Sequence, residues 1–281
     1  MTVVAGFKNP ECIVIAADTQ ETIGEHLKVS VPKIRAYSAG NWKMVVGGAG
    51  NANFIDLFCE KVSEIPDTTA GVKEIRAKIE EILTDIFRKH IDRVSGVREY
   101  LEFELVLGIW TIEGLSLIET ADTATIVASH DFSCIGWGAS HARKLADQLS
   151  DPNLPFTEKA LIQLGIYILR QTKAYEPHCG GDTHVHVINK NGRIYRLSDE
   201  EFRDNELIAT LFDKICHWPY FKIADEDLTE KQLDSFFKYY NGLLKGINDA
   251  RKSQKKHTEI IFEEVTHWLT HMTDDDSEAK K

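Results

Sequence analysis

Thr2 follows Met1 directly. A first methionine is readily removed when the next residue is small. Removal leaves Thr2 with a free α-amine and a hydroxyl on the same residue. An α-amine titrates at ~7.7–8.0, so near neutral pH it can take the hydroxyl proton directly or through one water. A threonine activated in this way is a recognised class of nucleophile. The bland alternative is a threonine that merely follows the initiator methionine.

Other residue clusters offer competing chemistry. His178, Cys179, His184 and His186 lie within one short stretch, and a His-x-His on a strand points both rings to one face, as metal sites require. The fuller hydrolase pattern His-x-His-x-Asp-His fails, because Ile188 and Asn189 fill its last two positions. A polar-faced strand beside a turn is the expectation, with no metal and no organic cofactor. His267 and His271 are four apart, but Trp268 stands where a zinc protease needs glutamate, so a helix surface is expected. Gly47 to Gly50 lacks the Lys-Ser/Thr of a nucleotide-binding loop. The basic run Arg251 to His257 reads as a solvated helix face.

Composition excludes further classes. Forty-four acidic against 33 basic residues give a net charge of −11, which argues against a surface built for nucleic acid. No apolar run approaches the ~18 residues of a membrane span. The start of the chain lacks the basic and apolar regions of a signal peptide. Cys12, Cys59, Cys134, Cys179 and Cys216 are odd in number and lack framework spacing, so reduced thiols and a cytoplasmic location are expected.

The elements that must position Thr2 begin at once. Val3 to Lys8 and Cys12 to Ala17 read as strands parted by an Asn-Pro-Glu turn, and Lys33 to Tyr37 and Lys43 to Gly47 as a second pair. Helices follow: Phe54, Leu57 and Phe58 share one face, and Val72, Ile75, Ile79, Ile82, Leu83 and Ile86 share another. Strands are expected at Phe103 to Ile112, Ser116 to Glu119, Thr125 to Ala128 and Phe132 to Gly136. Helices are expected at Ala139 to Leu149 and Thr157 to Tyr175, the second capped by Thr157. A hairpin of Thr183 to Ile188 and Arg193 to Leu197 turns at Asn191-Gly192. Strand blocks separated by helix pairs predict stacked sheets with helices outside. From Asp199 the chain becomes acidic and helix-rich, with Leu207, Leu211 and Ile215 on one face and Leu233, Phe236, Phe237 and Tyr240 on another. Asp274 to Lys281 reads as a disordered tail.

Five segments in order carry a family resemblance: Thr2-Val-Val-Ala-Gly-Phe, Val14-Ile-Ala-Ala-Asp18, Gln20-Glu21-Thr22-Ile-Gly24, Lys33-Ile34 and Val46-Gly47-Gly48-Ala49-Gly50-Asn51-Ala52. Together they resemble proteasome β subunits and the peptidase of the bacterial ATP-dependent threonine protease, both N-terminal-nucleophile (Ntn) hydrolases. The resemblance implies an α+β fold, a four-layer αββα sandwich over residues 2–198, with a helical extension over 199–281 that those families lack. It implies that Lys33 lowers the pKa of the Thr2 hydroxyl and amine, that Asp18 keeps Lys33 charged and oriented, and that the Gly47 N–H faces the oxyanion. Thr22 and Ala49 match positions that hold substrate as an added strand, and Glu21 and Val45 match pocket-lining positions.

The sequence also departs from the family. Glu176 and Cys179 replace a supporting aspartate and serine, and Trp137, between Gly136 and Gly138, replaces the serine of a Gly-Ser-Gly turn. The loop from Gly24 to Lys33 is one residue shorter. The leading expectation is a self-compartmentalising threonine peptidase acting on peptides or unfolded proteins, assembled as a homo-oligomeric ring. The alternatives are a non-catalytic subunit of such an assembly and a small-amide Ntn hydrolase. The sequence does not choose whether the extension docks neighbours, covers the chamber or binds an ATP-dependent unfoldase.

Overall fold

A computed structural model describes residues 2–23, 27–69, 71–93, 101–128, 130–150, 156–210 and parts of 229–245. The chain divides into two compact units, Met1–Ser198 and Asp199–Lys281. Two five-stranded antiparallel sheets form the centre of the first unit.

The sheet that carries the chain start has the order β10-β1-β2-β11-β12, formed by Phe132–Gly136, Val3–Lys8, Cys12–Asp18, Thr183–Asn189 and Ile194–Arg196. The other has the order β5-β6-β7-β8-β9, formed by Ile34–Ser38, Trp42–Gly50, Phe103–Thr111, Gly114–Ala121 and Ala124–Val127. A separate hairpin joins β3 (Gln20–Ile23) to β4 (Leu27–Ser30). Sequence patterning missed this hairpin, because its strands are short and mostly polar.

The strands read as continuous apolar runs because both their faces are covered. On β2, Ile13, Ile15 and Ala17 meet Val45 and Ala49 of β6 and Val106 of β7 between the sheets. On β6, Met44 and Val46 turn the other way, with Leu105, Leu107 and Ile109 of β7, toward Phe58 and Val62 of α1 (Ala52–Val62) and Ile75, Ile79 and Leu83 of α2 (Val72–Ile86). The period-two alternation thus assigns odd and even residues of one strand to different layers. Helices α3 (Ala139–Leu149) and α4 (Glu158–Tyr175) cover the outer face of the first sheet. The result is the expected αββα order. Thr157 caps α4, its hydroxyl accepting the Ala160 N–H at 3.3 Å. The β11–β12 turn is wider than a two-residue hairpin: the Asn189 side chain accepts from Asn191 and Arg193 N–H, and Gly192 has φ +72°.

In the second unit residues 199–210 are helical. Leu211, Ile215, Leu233, Phe236, Cys216, the basic run, His267, His271 and the tail lie outside the described residues. No helix among the described residues is long and apolar enough to cross a membrane.

The sheets pack so closely that a Cβ on Gly108 would stand 2.9 Å from Ile13 Cγ2. Ile13 is wholly buried there. Ile13→Ala is expected to cost about 2–5 kcal/mol, the range for emptying a core site. Urea unfolding followed by circular dichroism measures it; a loss well below that range would mean that the sheets close over the gap.

Candidate active site

The site is built around one carboxylate at the end of β2. Asp18 is wholly buried. Its Oδ1 accepts the Val3 N–H at 3.1 Å and the Lys33 ammonium at 2.7 Å, and its Oδ2 accepts the Gly180 N–H at 3.0 Å. One side chain therefore ties together the start of β1, the residue before β5 and the loop before β11. Thr2, one residue ahead of Val3, is buried, and its carbonyl accepts the Gly138 N–H at 3.3 Å. Sequence spacing alone could not show that residues 2, 18, 33 and 180 converge. The β1–β2 register, with Val4 opposite Ala17, brings the first two together, and the hydrogen bonds to Asp18 bring in Lys33 and Gly180.

Lys33 is 8% exposed at its side chain. It also donates to the Gln20 carbonyl at 2.5 Å. Burial lowers its pKa below the usual lysine range, and Asp18, Cys179 and Glu21 oppose that shift. A lysine so placed holds its proton less tightly than a surface lysine. The Cys179 thiol is pushed the other way, up to about 11, chiefly by burial and then by Asp18. It stays neutral at physiological pH, so it serves as a small packing group and not as a thiolate nucleophile.

The other matched residues divide. Glu21 and Thr22 lie half-buried on β3. Val45 and Ala49 are buried, with their side chains between the sheets. Glu176 caps α4, and its carbonyl accepts the Cys179 N–H at 3.0 Å. Gly47 lies opposite Ile34, and a Cβ there would stand 2.6 Å from Val4 Cγ1, so only glycine lets the two sheets approach at this point. Its amide, however, faces away from Lys33. Gly48 donates to the Lys33 carbonyl across β5 at 3.2 Å, and Asn51 donates to Glu102 on the β7 side at 3.0 Å. Backbone groups alternate along a strand, so the Gly47 N–H points to β7 and the Gly48 N–H to the Lys33 side. Of the two glycines, Gly48 is the one whose amide bonds the Lys33 main chain.

Three further residues hold the site together. Gln20 accepts from Lys33 through its carbonyl and donates from its side chain to the His178 carbonyl at 3.3 Å. Gly180 supplies the amide to Asp18. Glu104, on β7, accepts the Gly136 N–H at 2.9 Å and so holds the turn that carries Trp137. Gly136 has φ +84°, and a Cβ there would stand 2.4 Å from the Thr2 carbonyl.

The region 2–188 matches the family of proteasome subunits. The chain belongs to that family. Three solved structures, all called Anbu, share the proteasome-type fold at low identity. One from Hyphomicrobium sp. strain MC1, a Gly-1 mutant, is 15% identical with a TM-score of 0.66, covering 80% of this chain and all of that one. The ancestral β-subunit Anbu from Yersinia bercovieri is 14% identical with a TM-score of 0.64, covering 81% and 98%. Anbu from Pseudomonas aeruginosa, solved as a helical assembly, is 13% identical with a TM-score of 0.65, covering 78% and 96%. No curated protein sequence matches the chain. Within this proteasome-type frame, Thr2, Asp18 and Lys33 occupy one small region.

No group of three or more His, Cys, Asp or Glu residues among those described is placed to hold a metal ion. His184 and His186 lie opposite Ala17 and Ile15, on the face turned to the other sheet. His186 Nδ1 is buried without a hydrogen-bond partner. Burial first, then Arg196 and His184, lowers the His186 pKa to about 4.

Two outcomes follow from these groups. Asp18→Ala leaves Lys33 as a buried cation without its counter-ion, and a loss of about 3–5 kcal/mol is expected in urea unfolding, the range for breaking a buried pair. Because the folded His186 pKa lies below its unfolded value near 6.5, the unfolded chain binds the extra proton first as pH falls. This contribution to stability is therefore intact above pH ~6.5 and is lost as pH falls toward about 4. His186→Leu should flatten that part of the urea midpoint–pH profile; an unchanged slope would assign it to other groups.

Proposed function

We propose that this chain is a threonine peptidase whose nucleophile is Thr2 after loss of Met1. The observation that carries the reading is the convergence on Asp18 of the amide next to Thr2 and the Lys33 ammonium. The Thr2 hydroxyl gives its proton to the α-amine, with Lys33 stabilising the oxyanionic character that develops. Oγ attacks the peptide carbonyl carbon, and the carbonyl π electrons move to oxygen. Collapse of that intermediate breaks the C–N bond, and the proton held by the amine passes to the leaving nitrogen. Water, deprotonated by the same α-amine, then adds to the acyl-threonine ester; the C–Oγ bond breaks, the amine returns the proton to Oγ, and the carboxylic acid product leaves.

The Gly48 N–H, on the Lys33 side of β6, is the donor proposed for the oxyanion. It holds the Lys33 carbonyl at 3.2 Å, at the long end for an N–H···O bond, so an oxyanion competes for it on favourable terms. Removing one such donor typically costs about 2.7–4 kcal/mol of transition-state stabilisation. The same engagement is the observation that favours the second reading, a non-catalytic subunit whose glycine amides only hold strands together. Peptides or unfolded segments are the substrate class, laid as an added strand along Glu21 and Thr22 of β3. The helical assembly of the Pseudomonas aeruginosa relative supports self-association of this chain as well. An ATP-dependent unfoldase would be the partner of a closed assembly, in the cytoplasm.

The test is covalent. A peptide carrying a threonine-directed electrophile should add one mass to the wild-type chain, mapped to residue 2, and none to Thr2→Ala. Turnover of fluorogenic peptides should fall by roughly a thousandfold or more in Thr2→Ala, as it does when other hydrolases lose their nucleophile. Circular dichroism should show both chains folded alike. A native chain with Met1 retained by intact mass would overturn the peptidase and leave the non-catalytic reading.

A further inference from the structure

Two loops close around the beginning of β1, and an aromatic pair stands where they meet. The first is the turn Gly136–Gly138, held by the Glu104 carboxylate and bonded through the Gly138 N–H to the Thr2 carbonyl. The second is the segment from Glu176 to Gly181. It is tied to Asp18 through the Gly180 N–H, to Gln20 through the His178 carbonyl, and to Lys173, which donates to the Gly181 carbonyl at 3.0 Å. Cys179 Sγ packs where a Cβ on Gly138 would fall, so the loops touch. Trp137 projects from the first loop and His178 from the second, and their rings meet edge to face, with centroids 5.3 Å apart at 80°. Trp137 is 58% exposed.

The placement relative to the candidate nucleophile defines what this pair can touch. β2, which runs on through Thr19 into β3, flanks β1 on one side, and β10 with its turn flanks β1 on the other. A peptide paired to β3 and running to Thr2 therefore passes, beyond the bond attacked, toward Trp137. The turn that carries the indole is fixed by two hydrogen bonds from its amides, one to the Glu104 carboxylate and one to the Thr2 carbonyl, and by a glycine at φ +84°. The indole, more than half exposed, stands on a constrained base, so holding it there costs little further entropy.

We infer that Trp137, braced by His178, is a specificity-determining wall of this site, selecting peptides with an aromatic side chain on the leaving-group side of the scissile bond. The wall contributes a π face and apolar area, the features on which phenylalanine, tyrosine and tryptophan stack. This inference rests on the peptidase reading for its location but is tested without turnover.

Thr2→Ala, which lacks the proposed nucleophile, is titrated calorimetrically with an all-alanine hexapeptide and with six variants that carry one phenylalanine at each position in turn. At least one phenylalanine peptide should bind roughly three- to tenfold more tightly than the alanine peptide, the scale of one aromatic contact. The double variant Thr2→Ala/Trp137→Ala should lose that preference, and Thr2→Ala/Trp137→Phe should keep most of it. Equal affinities throughout, or a preference that persists without Trp137, would overturn the inference. A change of oligomeric state in Trp137→Ala, read by light scattering, would also overturn it, by assigning the indole to contact with another copy. If the wild-type chain cleaves no peptide while Thr2→Ala still shows the Trp137-dependent preference, the wall stands and the catalytic reading fails. Cleavage without that preference has the reverse meaning.

Discussion

Everything at the site depends on a carboxylate that water cannot reach. Asp18 sits at the end of a strand buried on both faces, and a lone buried carboxylate is costly. Its surroundings answer that cost with two backbone amides and one ammonium, from three separate parts of the chain. The requirement runs in both directions. Lys33 is itself pulled out of water, and its charge is tolerable only beside Asp18 and the Gln20 carbonyl. Neither group can move without leaving the other uncompensated, so the pair acts as a fixed reference for the neighbouring chain start.

The sandwich supplies the precision that this pair needs. Strand β1 is paired on both sides, with β2 and with β10, so the direction of its first residues is set by two ladders. The second sheet then closes from below through positions without side chains, Gly47 against Val4 and Gly108 against Ile13. Wider spacing would open the region around Thr2 to water, which weakens every charge interaction there. Core packing and site electrostatics are thus one problem. The small residues that let the sheets approach are the ones that keep the effective dielectric low.

Most of the scaffold was legible from alternation and turn chemistry. Phe132–Gly136 and Ala139–Leu149 fall where the pattern placed them, and Thr157 caps α4 as its type predicts. Short polar strands escaped, because β3 and β4 carry no buried period to betray them. The site was legible in part. Residue types and spacing pointed to Thr2, Asp18 and Lys33. They could not show which of two adjacent glycines turns its amide toward Lys33, because that parity depends on the register of β6 against both neighbours. Nor could spacing show that Val45, on the same strand face as Gly47, is buried between the sheets.

The substitutions at Cys179 and Trp137 make sense together once charge and space are considered. A buried neutral thiol beside Asp18 and Lys33 adds no second anion to a region that already balances one carboxylate against one ammonium. It is larger and less polar than a hydroxyl, and it fills the gap that Gly138 leaves between the two loops. With that contact made by sulfur, the residue before Gly138 is released from polar duty toward the site. A tryptophan there can lean outward onto His178. Polar support around Thr2 then comes from the backbone, through Gly138 to Thr2 and through Gly180 to Asp18. Backbone donors cannot be lost by side-chain substitution, which is how this version of the site keeps its central geometry while its outer residues change.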